Sequence, residues 1–216
     1  NYSDFGSNIS GKLASRYSVA TWLNLRGSVS TGFRAPALHQ SYYNYTGSYY
    51  FGGWLYEILT ARNSNPVTAE FGIPALKEET SNSYSVGITS KPSGNTNVTI
   101  DIYQIDVQNR IVLSGFFYKG FGNAVVDSLL ADLTTTGGAQ FFTNAVDTRT
   151  RGIDFVLSHE ISYSKGIIGA SFGINLSETR ITGDLHSSRA IIDNGLSDML
   201  FDRQSRALLE KAQPSL

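Results

Sequence analysis

Residues 23–40 read LNLRGSVSTGFRAPALHQ. Leu23, Leu25, Val29 and Phe33 fall on one side of an extended chain. Asn24, Arg26, Ser28 and Ser30 fall on the other. Alternation with period two marks a β-strand with two unlike faces. Pro36 ends the strand, because proline gives no N–H to a ladder and pushes Ala35 out of the helical region. Beyond it, no charged residue occurs before Glu57, and residues 42–56 hold eight aromatics.

The same alternation recurs downstream. Tyr84, Val86 and Ile88 share a face, as do Ile153, Phe155 and Leu157. Ile168, Ala170, Phe172, Ile174 and Leu176 form another such set. Between Thr96 and Leu113 the apolar positions begin on Val98, Ile100 and Ile102, then change parity to Tyr103, Ile105 and Val107. A bulge near Tyr103 is expected there, since one extra residue swaps the faces. Six strands follow, at roughly 8–17, 22–33, 80–91, 96–113, 148–160 and 166–180.

The connections alternate in length. Those around 18–21, 92–95 and 162–165 are short, whereas 34–79, 114–147 and the segment after 180 are long. Connections beyond about 15 residues are uncommon in compact soluble domains. Short turns alternating with long loops are the pattern of an antiparallel up-and-down membrane barrel. Helical periodicity appears in residues 124–133 and 197–214, so the long loops are expected to contain short helices, the second capped by Ser197 and ended by Pro214.

Composition agrees. Charged residues make up 16% of the 216-residue chain, with six lysines, and glycine numbers 21. Soluble domains carry about 25% charge. The polar strand faces are mostly Ser, Thr, Asn and Gly, which suits a barrel lumen better than a soluble surface. A net charge of −1 points away from nucleic acid. There is no cysteine and no apolar run long enough for a membrane helix. The first residues lack a signal-peptide pattern and an initiator methionine, so a piece of a longer chain is expected.

Four blocks, in order, carry a family resemblance. STGFRAPALHQ (30–40) resembles the Gly-Phe-Arg-Ala-Pro segment of TonB-dependent outer-membrane receptors, here Gly32, Phe33, Arg34, Ala35 and Pro36. LKEETSNSYSVGI (76–88) resembles their Leu-Lys-Pro-Glu-Thr-Ser stretch, with Glu78 in place of proline. VTIDIYQIDVQNRIVLSG (98–115) resembles a strand ending in Asp-Arg-Ile, here Asn109, Arg110 and Ile111. NAVDTRTRGIDFVLS (144–158) resembles the Thr-Arg-Gly-Val-Glu strand, here with Arg151, Gly152 and Asp154. EKAQPSL (210–216) resembles the approach to a further strand.

The resemblance implies an all-β fold, in which about six strands form a sector of a barrel of about 22. It implies a bacterial outer-membrane receptor that binds a siderophore, haem, cobalamin or oligosaccharide and imports it with energy from TonB. Its partners would be membrane lipid, the solute, and TonB acting through a plug domain outside this stretch. No cofactor is implied. Six strands alone leave open edges, through which an isolated segment is expected to associate. The other reading of the residues is a soluble extracellular β-sandwich that binds glycans.

Candidate ligand contacts are Tyr42, Tyr43, Tyr45, Tyr49, Tyr50, Trp54 and Tyr56, because rigid amphipathic rings suit capture of a ligand at a loop surface. They equally suit packing of a long loop on itself. Arg34 is expected to face a lipid phosphate or a loop carboxylate, and Phe33 an interfacial girdle. Glu78 and Glu79 are expected to be solvated. Asp101 and Asp106 lie on opposite faces of one strand, a poor acid–base pair. His39, His159 and His186 are scattered, and no catalytic motif occurs, so neither a metal site nor an enzyme is expected.

Overall fold

The computed structural model describes residues 8–211. In chain order its strands are β1 (Lys12–Ala20), β2 (Leu23–Arg34), β3 (Tyr45–Phe51), β4 (Trp54–Ala61), β5 (Glu79–Ser93), β6 (Thr96–Leu113), β7 (Phe117–Tyr118), β8 (Gly138–Tyr163) and β9 (Gly166–Thr182). The helices are α1 (Leu38–Tyr42), α2 (Pro66–Glu70), α3 (Ala124–Leu129), α4 (Arg189–Ile192), α5 (Ser197–Leu200) and α6 (Arg203–Lys211).

Six long strands, β1, β2, β5, β6, β8 and β9, form a continuous antiparallel wall. Tight turns join them at one end, and long connections at the other. The sheet does not close among the described residues: β1 pairs with β2 alone and β9 with β8 alone. The architecture is the expected barrel sector. The sheet is nevertheless larger than the six strands expected, because β3, β4 and β7 lie inside the long connections and β4 runs parallel to β8.

Register sorts the wall into two faces. Leu25, Ile88, Ile100, Phe155 and Ile174 form one cross-strand row, and Gly27, Val86, Ile102, Ile153 and Leu176 the next. This apolar face is open: Ile102 is 53% exposed, Phe172 55% and Leu176 59%. No second sheet covers it among the described residues, which removes the sandwich architecture. The opposite face carries Arg26, Asp101, Asp154 and Asn175 in one row.

The expected bulge at Tyr103 is absent. The β5–β6 ladder runs unbroken from Ser90–Val98 to Thr80–Gln108. The irregularity falls instead between Val107 and Ile111 on the β8 side, where Asn109 adopts φ 55°. The change of apolar parity is therefore a change of surroundings. Past Ile102 the formerly apolar face bears Gln104, Asp106, Arg149, Arg151, Glu178 and Arg180. Tyr103, Ile105 and Val107 point to the other side, over which the loops fold.

Those loops contain the buried core. Val67, Phe71 and Ile73 from the first long connection meet Phe117, Val126 and Leu130 from the second. Ile191, Leu196, Leu200 and Phe201 from the third join them over Ala139, Phe141 and Val146 of β8. Phe117 and Phe141 stack with ring centroids 5.4 Å apart, and Phe71 lies 4.6 Å from Phe117.

The helix expected at 197–214 is interrupted. Phe201, at φ −140° and ψ 85°, turns into this core and separates α5 from α6. Ser197 is not a cap: Leu196 occupies that position for α5, and Asp202 Oδ1 accepts the Ser205 N–H at 2.7 Å in α6. Pro214 lies outside the described residues. The helix expected at 124–133 is shorter, and Asn123 caps it by accepting from the Val125 and Val126 N–H groups.

Candidate functional site

The long connection 35–78 is built around a hairpin. Gly52 and Gly53, at φ 59° and 88°, form its two-residue turn, closed by the Phe51–Trp54 pair. Two positive φ values make a turn whose twist matches the flanking strands, and glycine adopts them without strain. The hairpin is anchored at its base. Ile58, Leu59, Thr60 and Ala61 pair with Gly138 to Phe141 of β8, and Gln140 Nε2 donates to Thr60 Oγ1 at 2.8 Å inside the protein.

The seven candidate aromatics separate into three groups. Tyr49 and Tyr56 pack on a ring cluster from the second long connection: Tyr49 lies 4.9 Å from Phe116, and Tyr56 lies 5.8 Å from Tyr118 and 5.6 Å from Phe121. Burial, together with Tyr49 and Tyr56, pushes the Tyr118 phenol above its ordinary value and keeps it neutral. Tyr43 lies between His39 (4.3 Å) and Tyr45 (6.0 Å), its ring tilted to both. Tyr42, Tyr50 and Trp54 stand out at 61%, 77% and 70% exposure. The second connection's contribution, Phe116, Tyr118 and Phe121, escaped the sequence reading, although GFFYKGF (115–121) shows it plainly.

The motif residues hold the wall together where it meets the loops. Arg34 grips Glu79 with two bonds, Nε to Oε2 at 2.9 Å and Nη2 to Oε1 at 2.6 Å. Oε1 also accepts the Ile111 N–H at 2.8 Å, so one carboxylate fastens β2, β5 and β6. Glu79 is 7% exposed, which corrects the expectation that it is solvated. Its burial follows from three N–H donors that compensate its charge. Arg34 thus faces a carboxylate. Pro36 is buried just beyond it. Arg110 Nη1 donates to Thr148 Oγ1 at 3.2 Å, and a Cβ at Gly32 would stand 2.9 Å from Ser81 Oγ.

Gly152 has a steric role. It pairs with Tyr103 across the ladder, and the Tyr103 ring occupies the space where its Cβ would stand. Tyr103 Oη then accepts from Asn175 Nδ2 at 3.1 Å, which also donates to Asp154. Gly87 does the same for an ion pair: Arg26 reaches over it to Asp101, with Nε to Oδ1 at 2.8 Å. Asp106 is on the opposite face, bound by Arg149 Nε at 2.5 Å. The histidines stay apart: His159 bonds Thr96, and His186 sits 3.6 Å from Asp147.

An open sheet with one apolar face, notched polar rows on the other, and packed loops at one end describes a sector of a β-barrel. Residues 1–198 match the family "TonB dependent receptor-like, beta-barrel", and the chain belongs to it. No curated protein matches the chain. Two solved structures are similar. One is the siderophore receptor PirA from Pseudomonas aeruginosa, at 16% identity and TM-score 0.48, covering 83% of this chain and 37% of that one. The other is the RagAB peptide importer in its "closed-closed" state, at 13% identity and TM-score 0.52, covering 86% of this chain and 19% of that one. The second likeness supports the fold. The chain spans well under half of either protein.

Proposed function

We propose that this chain is a sector of wall and loops from a bacterial outer-membrane receptor. The whole protein would bind a scarce solute outside the cell and import it with energy from TonB. Siderophore, haem, cobalamin and oligosaccharide are the candidate solutes. The task is binding and gated passage, with no bond chemistry.

The observation that carries the reading is the inversion of the two faces along the wall. From Tyr163 to Ile153, β8 offers alternate residues to the apolar face. That run covers about 33 Å along the strand. Tilted by about 40°, it spans about 25 Å, the height of the apolar band of an outer-membrane barrel. Charged residues begin on that face immediately above, and the loops pack inward over the other.

The exposed hairpin tip is the proposed contact with solute, through Tyr50 and Trp54 with Tyr42 nearby in sequence. In the full-length receptor, Tyr50→Ala combined with Trp54→Ala is expected to raise the half-saturating solute concentration about tenfold, or ~1.4 kcal/mol. Uptake should vanish when TonB is deleted. TonB-independent uptake would refute the transport reading, and unchanged affinity in the double variant would refute the site. An isolated copy of this segment should associate through its open β1 and β9 edges; a monodisperse monomer in light scattering would refute that.

A further inference from the structure

The apolar face of the wall is not uniform. Ser15 and Gly27 are neighbours in register, and their small side chains lower one row beneath the ridge formed by Leu13, Val29 and Tyr84. Val86 and Ile102 extend the lining along the same cross-strand row, and the result is a groove of about 620 Å3. That is within the range of ligand sites, about 300–1,000 Å3. Its lining is mainly apolar, with Ser15, Ser28, Ser85 and Tyr103 interspersed, and Gln104 and Arg151 stand at one end.

The charges at that end are arranged unequally. Asp106 is satisfied by Arg149 Nε and by Gln104 Nε2, the latter at 2.8 Å. Glu178, the register partner of Arg151, turns instead to Arg180, with Nη2 to Oε1 at 2.8 Å. Among the described residues the hydrogen bond that holds Arg151 runs from Nε to the neutral Gln104 Oε1, at 2.8 Å, and Arg151 also feels the Asp106 charge without bonding it. The belt of Asp106, Glu178, Arg149, Arg151 and Arg180 carries one more positive than negative charge. Its exposed arginine without a carboxylate bond stands at the mouth of the groove.

We propose that this groove holds one ordered anionic membrane lipid, an acyl chain lying in the groove and a headgroup phosphate on Arg151. The inference rests on the membrane placement proposed above. Arg151 follows the last apolar row, at Ile153, so a phosphate there sits at the edge of the hydrocarbon band. A guanidinium binds phosphate in a planar, two-bond geometry that a zwitterionic headgroup amine would oppose.

The test uses the full-length receptor purified in detergent and mixed with phosphatidylglycerol or phosphatidylcholine. Bound lipid is counted by native mass spectrometry. Gly27→Leu fills the groove, and a Cβ at that position meets only Ser85 O at an ordinary 3.7 Å, so the strand tolerates it. Arg151→Gln removes the charge and keeps a polar side chain. The wild type should retain one phosphatidylglycerol, and each variant should weaken that binding at least tenfold while phosphatidylcholine stays weak throughout. Equal retention of both lipids, retention of neither, or variants that bind like the wild type would overturn the proposal. Fractionation of the same protein separates the two readings. A receptor in the outer membrane that retains no lipid defeats only the groove, whereas its absence from that membrane defeats both.

Discussion

The wall and the loops use apolar residues in opposite ways. In the loops Phe71 and Phe117 are fully buried against each other and against Phe141 at the base of β8. In the wall Leu25, Val86, Ile102, Phe172 and Leu176 lie open on one face. A soluble β protein would bury such a face, since about 25 cal/mol per Å2 is gained by doing so. The loops therefore form the part of this chain that buries its apolar residues, and the open face of the wall agrees with the membrane placement proposed above. The boundary between them is drawn by polarity: it passes between Ile102 and Gln104 on β6, and between Ile153 and Arg151 on β8.

The comparison breaks most severely if the loop core is emptied. Phe117→Ala removes a ring that touches Phe71 from the first connection and Phe141 of β8. A loss of about 3–5 kcal/mol is expected, read in the full-length receptor as loops that become protease-sensitive while the wall stays resistant. A charge on the open face tests the other half. Ile102→Arg is expected to destabilise the inserted barrel by about 2–4 kcal/mol, whereas a soluble surface would accept it. The junction comes next. Glu79→Ala leaves Arg34 and the Ile111 N–H without their acceptor, and about 2–3 kcal/mol should be lost, seen as a lower unfolding temperature. Arg34→Ala should cost less, because the arginine is largely exposed and Glu79 retains a backbone donor. At the small end, Arg180→Ala breaks a fully exposed pair and should leave the unfolding temperature unchanged.

The wall was legible because its code is simple. Alternation such as Leu23, Leu25, Val29 and Phe33 states the strand and its faces at once, and short turns against long connections state the topology. The parity change at Tyr103 was visible but had two explanations, an extra residue or a new environment. Only the ladder distinguishes them. The loops were less legible, because their core joins Phe71, Phe117 and Leu196 from three connections. No periodicity links residues so far apart. Some signals were present and unread: Gly52-Gly53 between Tyr-Tyr-Phe and Trp-Leu-Tyr is a hairpin turn. The burial of Glu79 could not be read, since it depends on Arg34 and Ile111 arriving from neighbouring strands.

The central claim is that the two faces of the wall meet lipid and water and exchange character above Ile102. Single spin labels placed in turn at positions 98 to 107 of the full-length receptor, in its own membrane, test this residue by residue. Labels at 98, 100 and 102 should be relaxed by lipid-dissolved oxygen, and those at 99 and 101 by a water-soluble nickel reagent. At 104 and 106 the lipid preference should be lost. Uniform aqueous access at 98, 100 and 102, or oxygen access that persists through 104 and 106, would contradict the account.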